Sequence, residues 1–66
     1  MTMTLKAARV NKGLSQRRAA SLLGIAVDTI SKYERGETSP NVQIIKKIEI
    51  LYGINFNDII FSPTNA

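Results

Sequence analysis

Only three residues, Gly24-Ile25-Ala26, separate two stretches that both read as helices. Before them, Ala19, Ala20 and Leu23 recur at i, i+1 and i+4, the inward stripe of a helix over residues 16–23. After them, Ile30 and Tyr33 are the core-type residues of a helix over residues 27–35. Val27, Asp28, Ser31, Lys32 and Arg35 share its opposite side. A three-residue turn with a glycine can fold two helices back as a plain hairpin, with Gly24 as a C-cap. It can also set them at a corner of about 90–120°. The small side chains of Ala19, Ala20 and Gly24 permit the close crossing that a corner needs, and the spacing alone leaves both geometries open.

The remaining segments are also short and helical. Residues 4–12 place Leu5, Ala8 and Arg9 on one side, and Gly13 follows as a stop. Leu14 re-enters the core, Ser15 can cap the second helix, and Ile25 packs in the turn after it. Gly36 ends the third helix, and the polar Glu37-Thr38-Ser39-Pro40 reads as a loop. Asn41 can cap a fourth helix over residues 42–52, ended by Gly53. Asn55 with Asp58 three residues on resembles a capping box and predicts a short fifth helix over residues 56–60. No stretch reads as a convincing strand, and no internal repeat is visible. The expectation is an all-α chain with one domain over residues 1–66, five helices, and a frayed tail over about 61–66.

Composition narrows the chemistry. A chain of 66 residues without cysteine or histidine has no disulfide, no Cys- or His-ligated metal and no histidine base. Its few carboxylates have caps or ion pairs to explain them, so an enzyme is not expected, nor is a cofactor. No apolar run approaches the roughly 20 residues of a membrane span, and Met1-Thr2-Met3-Thr4 lacks the features of a signal peptide. The reading is a cytoplasmic protein, nucleoid-associated, with no membrane partner. The net charge of +4 is unevenly placed. Residues 1–36 carry Lys6, Arg9, Lys12, Arg17, Arg18, Lys32 and Arg35 against Asp28 and Glu34, whereas acids outnumber cations after them. A basic half points to a polyanionic partner.

The ordered fragments Gly13-Leu14-Ser15-Gln16, Ala20 to Gly24-Ile25, Thr29-Ile30-Ser31, Tyr33-Glu34-Arg35-Gly36 and Pro40 closely resemble the phage Cro and CI repressor (XRE-type) family of helix-turn-helix proteins. The later stretch "KKIEILYGINFNDII" is similar to the closing helices of that family, so the likeness covers about residues 5 to 60. The resemblance implies a lambda-repressor-like domain whose third helix enters the major groove of double-stranded DNA. Matched by position, it implies base reading by Val27, Asp28 and Lys32, and phosphate contact by Gln16. A cation at the start of the second helix opposes the helix dipole, so Arg17 is read as a phosphate contact too, as are Ser31 and Arg35 on the outward side of the third helix. It also implies that Gln16 braces the third helix and that Arg9 and Glu34 form a structural ion pair. The function it implies is a sequence-specific transcriptional regulator of bacterial or phage origin, a repressor on an inverted-repeat operator.

The chain departs from that pattern in three places. Ala26 stands where Ser or Thr is usual just before the third helix, a loss of a side-chain cap worth about 1 kcal/mol. Val27 and Asp28 replace the usual Gln or Arg readers. Asp28 can accept from cytosine N4, or it can serve as a cap in place of Ala26. Glu49 stands where a small apolar residue is common. Surplus apolar residues near the C-terminus, with Ile50, Ile60 and Phe61 foremost, suggest a homodimer interface, unless the tail folds back to cover them. Since the domain fills the chain, no sensor domain is expected. Control would fall to concentration, a regulatory protein partner or proteolysis. The competing reading is a protein-interaction module on the same fold, antitoxin-like or antirepressor-like, without DNA specificity of its own.

Overall fold

A computed structural model of the chain describes residues 2–61. The order of elements is β1 (Met3–Thr4), α1 (Leu5–Asn11), α2 (Gln16–Leu23), α3 (Val27–Glu34), α4 (Val42–Tyr52), a 3-10 turn (Phe56–Asp58) and β2 (Ile59–Ile60). Local chemistry starts three of the four α-helices. Thr4 accepts from the Ala7 N–H at 3.0 Å, Ser15 from Arg18 at 3.0 Å, and Asn41 from Ile44 at 2.9 Å. Each side-chain oxygen takes one of the donors that a helix start leaves unpaired. Ala26, at the start of α3, makes no such bond, and Asp28 does not replace it. Gly24 closes α2 in the left-handed conformation at φ 74°, where a side chain would be strained.

The helices carry Leu5, Ala8, Ala19, Ala20, Leu23, Ile30, Ile48 and Tyr52 into one core, with Ile59 from β2. α2 packs most extensively on α3, with Ala19 fully buried. A methyl group at that position lets the two backbones approach, and larger residues on either side fill the space. Leu14, Ile25, Tyr33, Ile44 and Leu51 pack against the core from its edge. Each fully buried Leu or Ile contributes about 1.5–3 kcal/mol. Burial also keeps the Tyr52 hydroxyl neutral, and with the charge of Glu34 it pushes that group up to about 12 against the opposing effect of Arg9.

The C-terminal segment differs from its sequence reading. Four α-helices form instead of five, and residues 56–60 divide into one 3-10 turn and a two-residue strand. β2 pairs in parallel with β1, Met3 opposite Ile59 and Thr4 opposite Ile60. Asn55 makes no side-chain cap bond. Glu49 takes that role from α4, its Oε2 accepting from the Phe56 N–H at 2.7 Å. The physical reason is that Ile59 can reach the core only if the chain leaves the turn extended. Continuing as a helix would rotate the apolar pair off it. By this return the chain covers part of its own surplus. Ile59 is buried, and Phe61 is half-buried with its ring centroid 5.4 Å from that of Phe56. Of the tail read over about 61–66, only Phe61 lies within the described residues.

Candidate nucleic-acid interface

α3 rests on a buried polar node. Arg9 Nε lies 2.6 Å from Glu34 Oε2, and both side chains are less than a tenth exposed. Arg9 Nη2 also donates to Glu34 Oε1 at 3.2 Å, while Nη1 donates to the Leu14 carbonyl at 2.7 Å. The guanidinium fork therefore ties α1, the connection after it and the end of α3 into one unit. Gln16 adds a fourth strut, its Nε2 donating to Glu34 Oε1 at 3.0 Å. The hydrogen bond to Glu34 holds the Arg9 guanidinium above its ordinary range, against the opposing effect of burial. Among the described residues no buried side-chain nitrogen or oxygen is left without a partner. The node is thus fully satisfied, which is the condition for a buried charge pair to hold a fold in one geometry.

The opposite side of α3 faces solvent. Val27 is 43% exposed, and the Asp28 and Lys32 side chains are 74% and 46% exposed. They lie on the first two turns, held away from the core by Ile30 and Tyr33 behind them. Asp28 stands 3.5 Å from Lys32 Nζ, one helical turn on. At the other end, Arg35 Nε lies 2.6 Å from Glu37 Oε2, and Arg35 Nη1 donates to Ser31 Oγ. Both partners of the Arg35–Glu37 pair shift accordingly, the guanidinium upward and the carboxyl below the usual carboxylate range, each first through their shared hydrogen bond. On α2, Arg17 and Arg18 are exposed and have no ion-pair partner among the described residues.

The residues read as base contacts, Val27, Asp28 and Lys32, thus lie together on one exposed helix. The residues read as phosphate contacts divide. Arg17 is open to solvent, whereas Gln16, Ser31 and Arg35 already hold hydrogen bonds within the chain. Ile50, Ile60 and Phe61 do not make one patch of like exposure. Ile50 is 84% exposed on α4, whereas Ile60 and Phe61 are half-buried. Glu37 and Glu49 are the working carboxylates to which the sequence reading gave no role. The only signal for Glu37 was an acid two residues after Arg35. No helix among the described residues is long and apolar enough to cross a membrane.

A short helix joined by a tight turn to the helix before it is what the words helix-turn-helix describe, and a family model of that description matches this chain. That model matches residues 5–59, and the chain belongs to this family. Among curated relatives, the chain is similar to the SPbeta prophage-derived uncharacterized HTH-type transcriptional regulator YonR of Bacillus subtilis, 36% identical over 62 residues, covering 94% of this chain and 56% of the relative. It is also similar to the HTH-type transcriptional regulator PuuR of Escherichia coli, 36% identical over 55 residues, covering 83% and 30%. The cryptic phage CTXphi transcriptional repressor RstR of Vibrio cholerae is 31% identical over 58 residues, covering 86% and 52%. The chain therefore spans about a third to a little over half the length of these relatives. No solved structure matches it.

Proposed function

We propose that this chain is a sequence-specific DNA-binding transcriptional regulator, a repressor acting in the cytoplasm on double-stranded DNA. The observation that carries the reading is the exposed first half of α3, set on the Arg9–Glu34–Gln16 node. A helix fixed at its far end by a buried charge pair can enter a groove without losing its register. The regulators and the repressor named among the relatives support the same reading.

In the major groove, Lys32 can donate to guanine O6 and N7, Asp28 can accept from cytosine N4, and Val27 can lie against a thymine methyl. Of the four residues read as phosphate contacts, Arg17 is the readiest, since no carboxylate competes for it among the described residues. Gln16, Ser31 and Arg35 could contact phosphates only by sharing or exchanging the bonds they hold. The largest extent of the domain, 28 Å, is shorter than the roughly 34 Å between successive major-groove faces. Reading two half-sites therefore takes two copies, and Ile50 is the apolar side chain most available to join them.

Selection from a random duplex pool, at roughly physiological salt, tests this reading. The expected outcome is an enriched inverted repeat with half-sites one helical turn apart. A folded protein that enriches nothing, and does not bind bulk duplex at low salt, would instead be a protein-interaction module.

A further inference from the structure

Among the described residues, the Asp28 carboxylate has one partner, Lys32. It caps nothing at the start of α3, and its Oδ2 lies 3.5 Å from Lys32 Nζ one turn on. Both groups are exposed, on the side of α3 turned away from Ile30 and the core. An exposed pair at this spacing steadies a helix only slightly. Its partners also leave each other unsaturated. An ammonium has three donors and a carboxylate two oxygens, so Lys32 Nζ keeps donors to spare and Asp28 keeps Oδ1. The surface thus presents an acceptor and a donor side by side.

We propose that Asp28 and Lys32 read one C·G base pair together, as a preformed unit, and not two base pairs separately. The inference rests on the DNA-binding reading above. In the major groove the cytosine N4 donor and the guanine O6 acceptor are neighbours, about 2.9 Å apart through their own pairing bond. An acceptor and a donor held 3.5 Å apart match that edge. Asp28 Oδ1 accepts from N4, while Lys32 donates to O6 or to N7 beside it. Neither has to release the other, so the pair is kept in the free protein and in the seated complex, and docking breaks no bond between them. At the reversed G·C pair the carboxylate meets O6 and N7, and the ammonium meets the N4 donor, so both contacts are repulsive. An A·T pair repeats the donor–acceptor order. Its adenine N7, however, stands beside the donor and against Asp28, and thymine offers one acceptor where guanine offers two. C·G is therefore the best match and G·C the worst.

Binding of the selected duplex, and of every single base-pair substitution in its half-site, tests this with wild type, Asp28→Ala, Lys32→Ala and the double variant. Both side chains are exposed, so neither substitution removes a core contact. Wild type should favour C·G at one half-site position and lose about tenfold or more on the reversed pair. Asp28→Ala and Lys32→Ala should each reduce the preference at that same position, and the double variant should relax no second one. N4-methylcytosine in that pair replaces the outward hydrogen, so it should weaken wild type and leave Asp28→Ala unchanged. Substitutions that relax different positions, or none, would overturn the joint reading, as would a wild type indifferent to N4-methylcytosine. A folded wild type that enriches no sequence and binds no duplex at low salt would instead sink the DNA reading itself.

Discussion

Arg9 is a charged side chain that the fold buries, and its bonds reach two other parts of the chain, Glu34 at the end of α3 and the Leu14 carbonyl before α2. Truncating one partner of such a pair strands the other charge, at about 3–5 kcal/mol. Domains of this size have few kcal/mol to lose, so Arg9→Ala should bring the urea midpoint close to zero. Arg9→Lys should recover only part, because an ammonium cannot span Glu34 and the Leu14 carbonyl as a fork does. An Arg9→Ala protein as stable as wild type would mean that water replaces the guanidinium without loss. The partnership of Arg9 with Glu34 was legible in the sequence only through family likeness, since nothing local joins residues 25 positions apart. That Gln16 braces the third helix was legible through the same likeness, but that Glu34 is its partner was not. An amide and a carboxylate on different helices carry no spacing signal.

At the scale of elements, the four helices were legible because each one states its limits locally. An oxygen-bearing side chain starts three of them, a glycine follows α2 and α4 directly and α1 and α3 one residue later, and an apolar stripe marks the inward face. The C-terminal segment was not legible, for a definite reason. Ile59-Ile60 has no alternation to read over two residues, and its partner β1 lies more than fifty positions away. Glu49 was seen as an oddity because its use depends on a backbone amide arriving from seven residues downstream. Its carboxylate secures the turn that feeds β2, and because the bond is open to solvent Glu49→Ala should cost about 0.5–1.5 kcal/mol. The loss should concentrate locally, with faster hydrogen exchange at the Phe56 amide and at the β1–β2 pair than across α2. Unchanged protection at Phe56 would show that the cap contributes nothing in solution.

At the scale of the whole molecule, stability and binding depend on different ionisations. Tyr52 is held neutral in the folded state, up to about 12, against about 10 in an unfolded chain. Its contribution is complete below about pH 10 and is lost as the pH climbs toward 12, because the unfolded state gives up its proton first. Unfolding free energy should fall by about 2–3 kcal/mol across that window, and Tyr52→Phe should flatten the fall. An unchanged alkaline slope in Tyr52→Phe would assign it to other groups. DNA binding, by contrast, should follow the exposed cations. Arg17→Ala should weaken binding to every sequence and flatten the salt slope by about one, whereas Lys32→Ala should change which bases are preferred. A salt slope that Arg17→Ala leaves untouched would remove that residue from the phosphate contacts.

The two-residue pairing of Met3–Thr4 with Ile59–Ile60 also decides how the domain carries force. The strands run parallel, so tension applied at the two ends of the described chain pulls them past one another along their length. Their hydrogen bonds are then loaded together in shear, instead of being peeled one at a time. Until that clasp slips, a pull on the ends is borne by the strands, and the corner between α2 and α3 stays out of the load path.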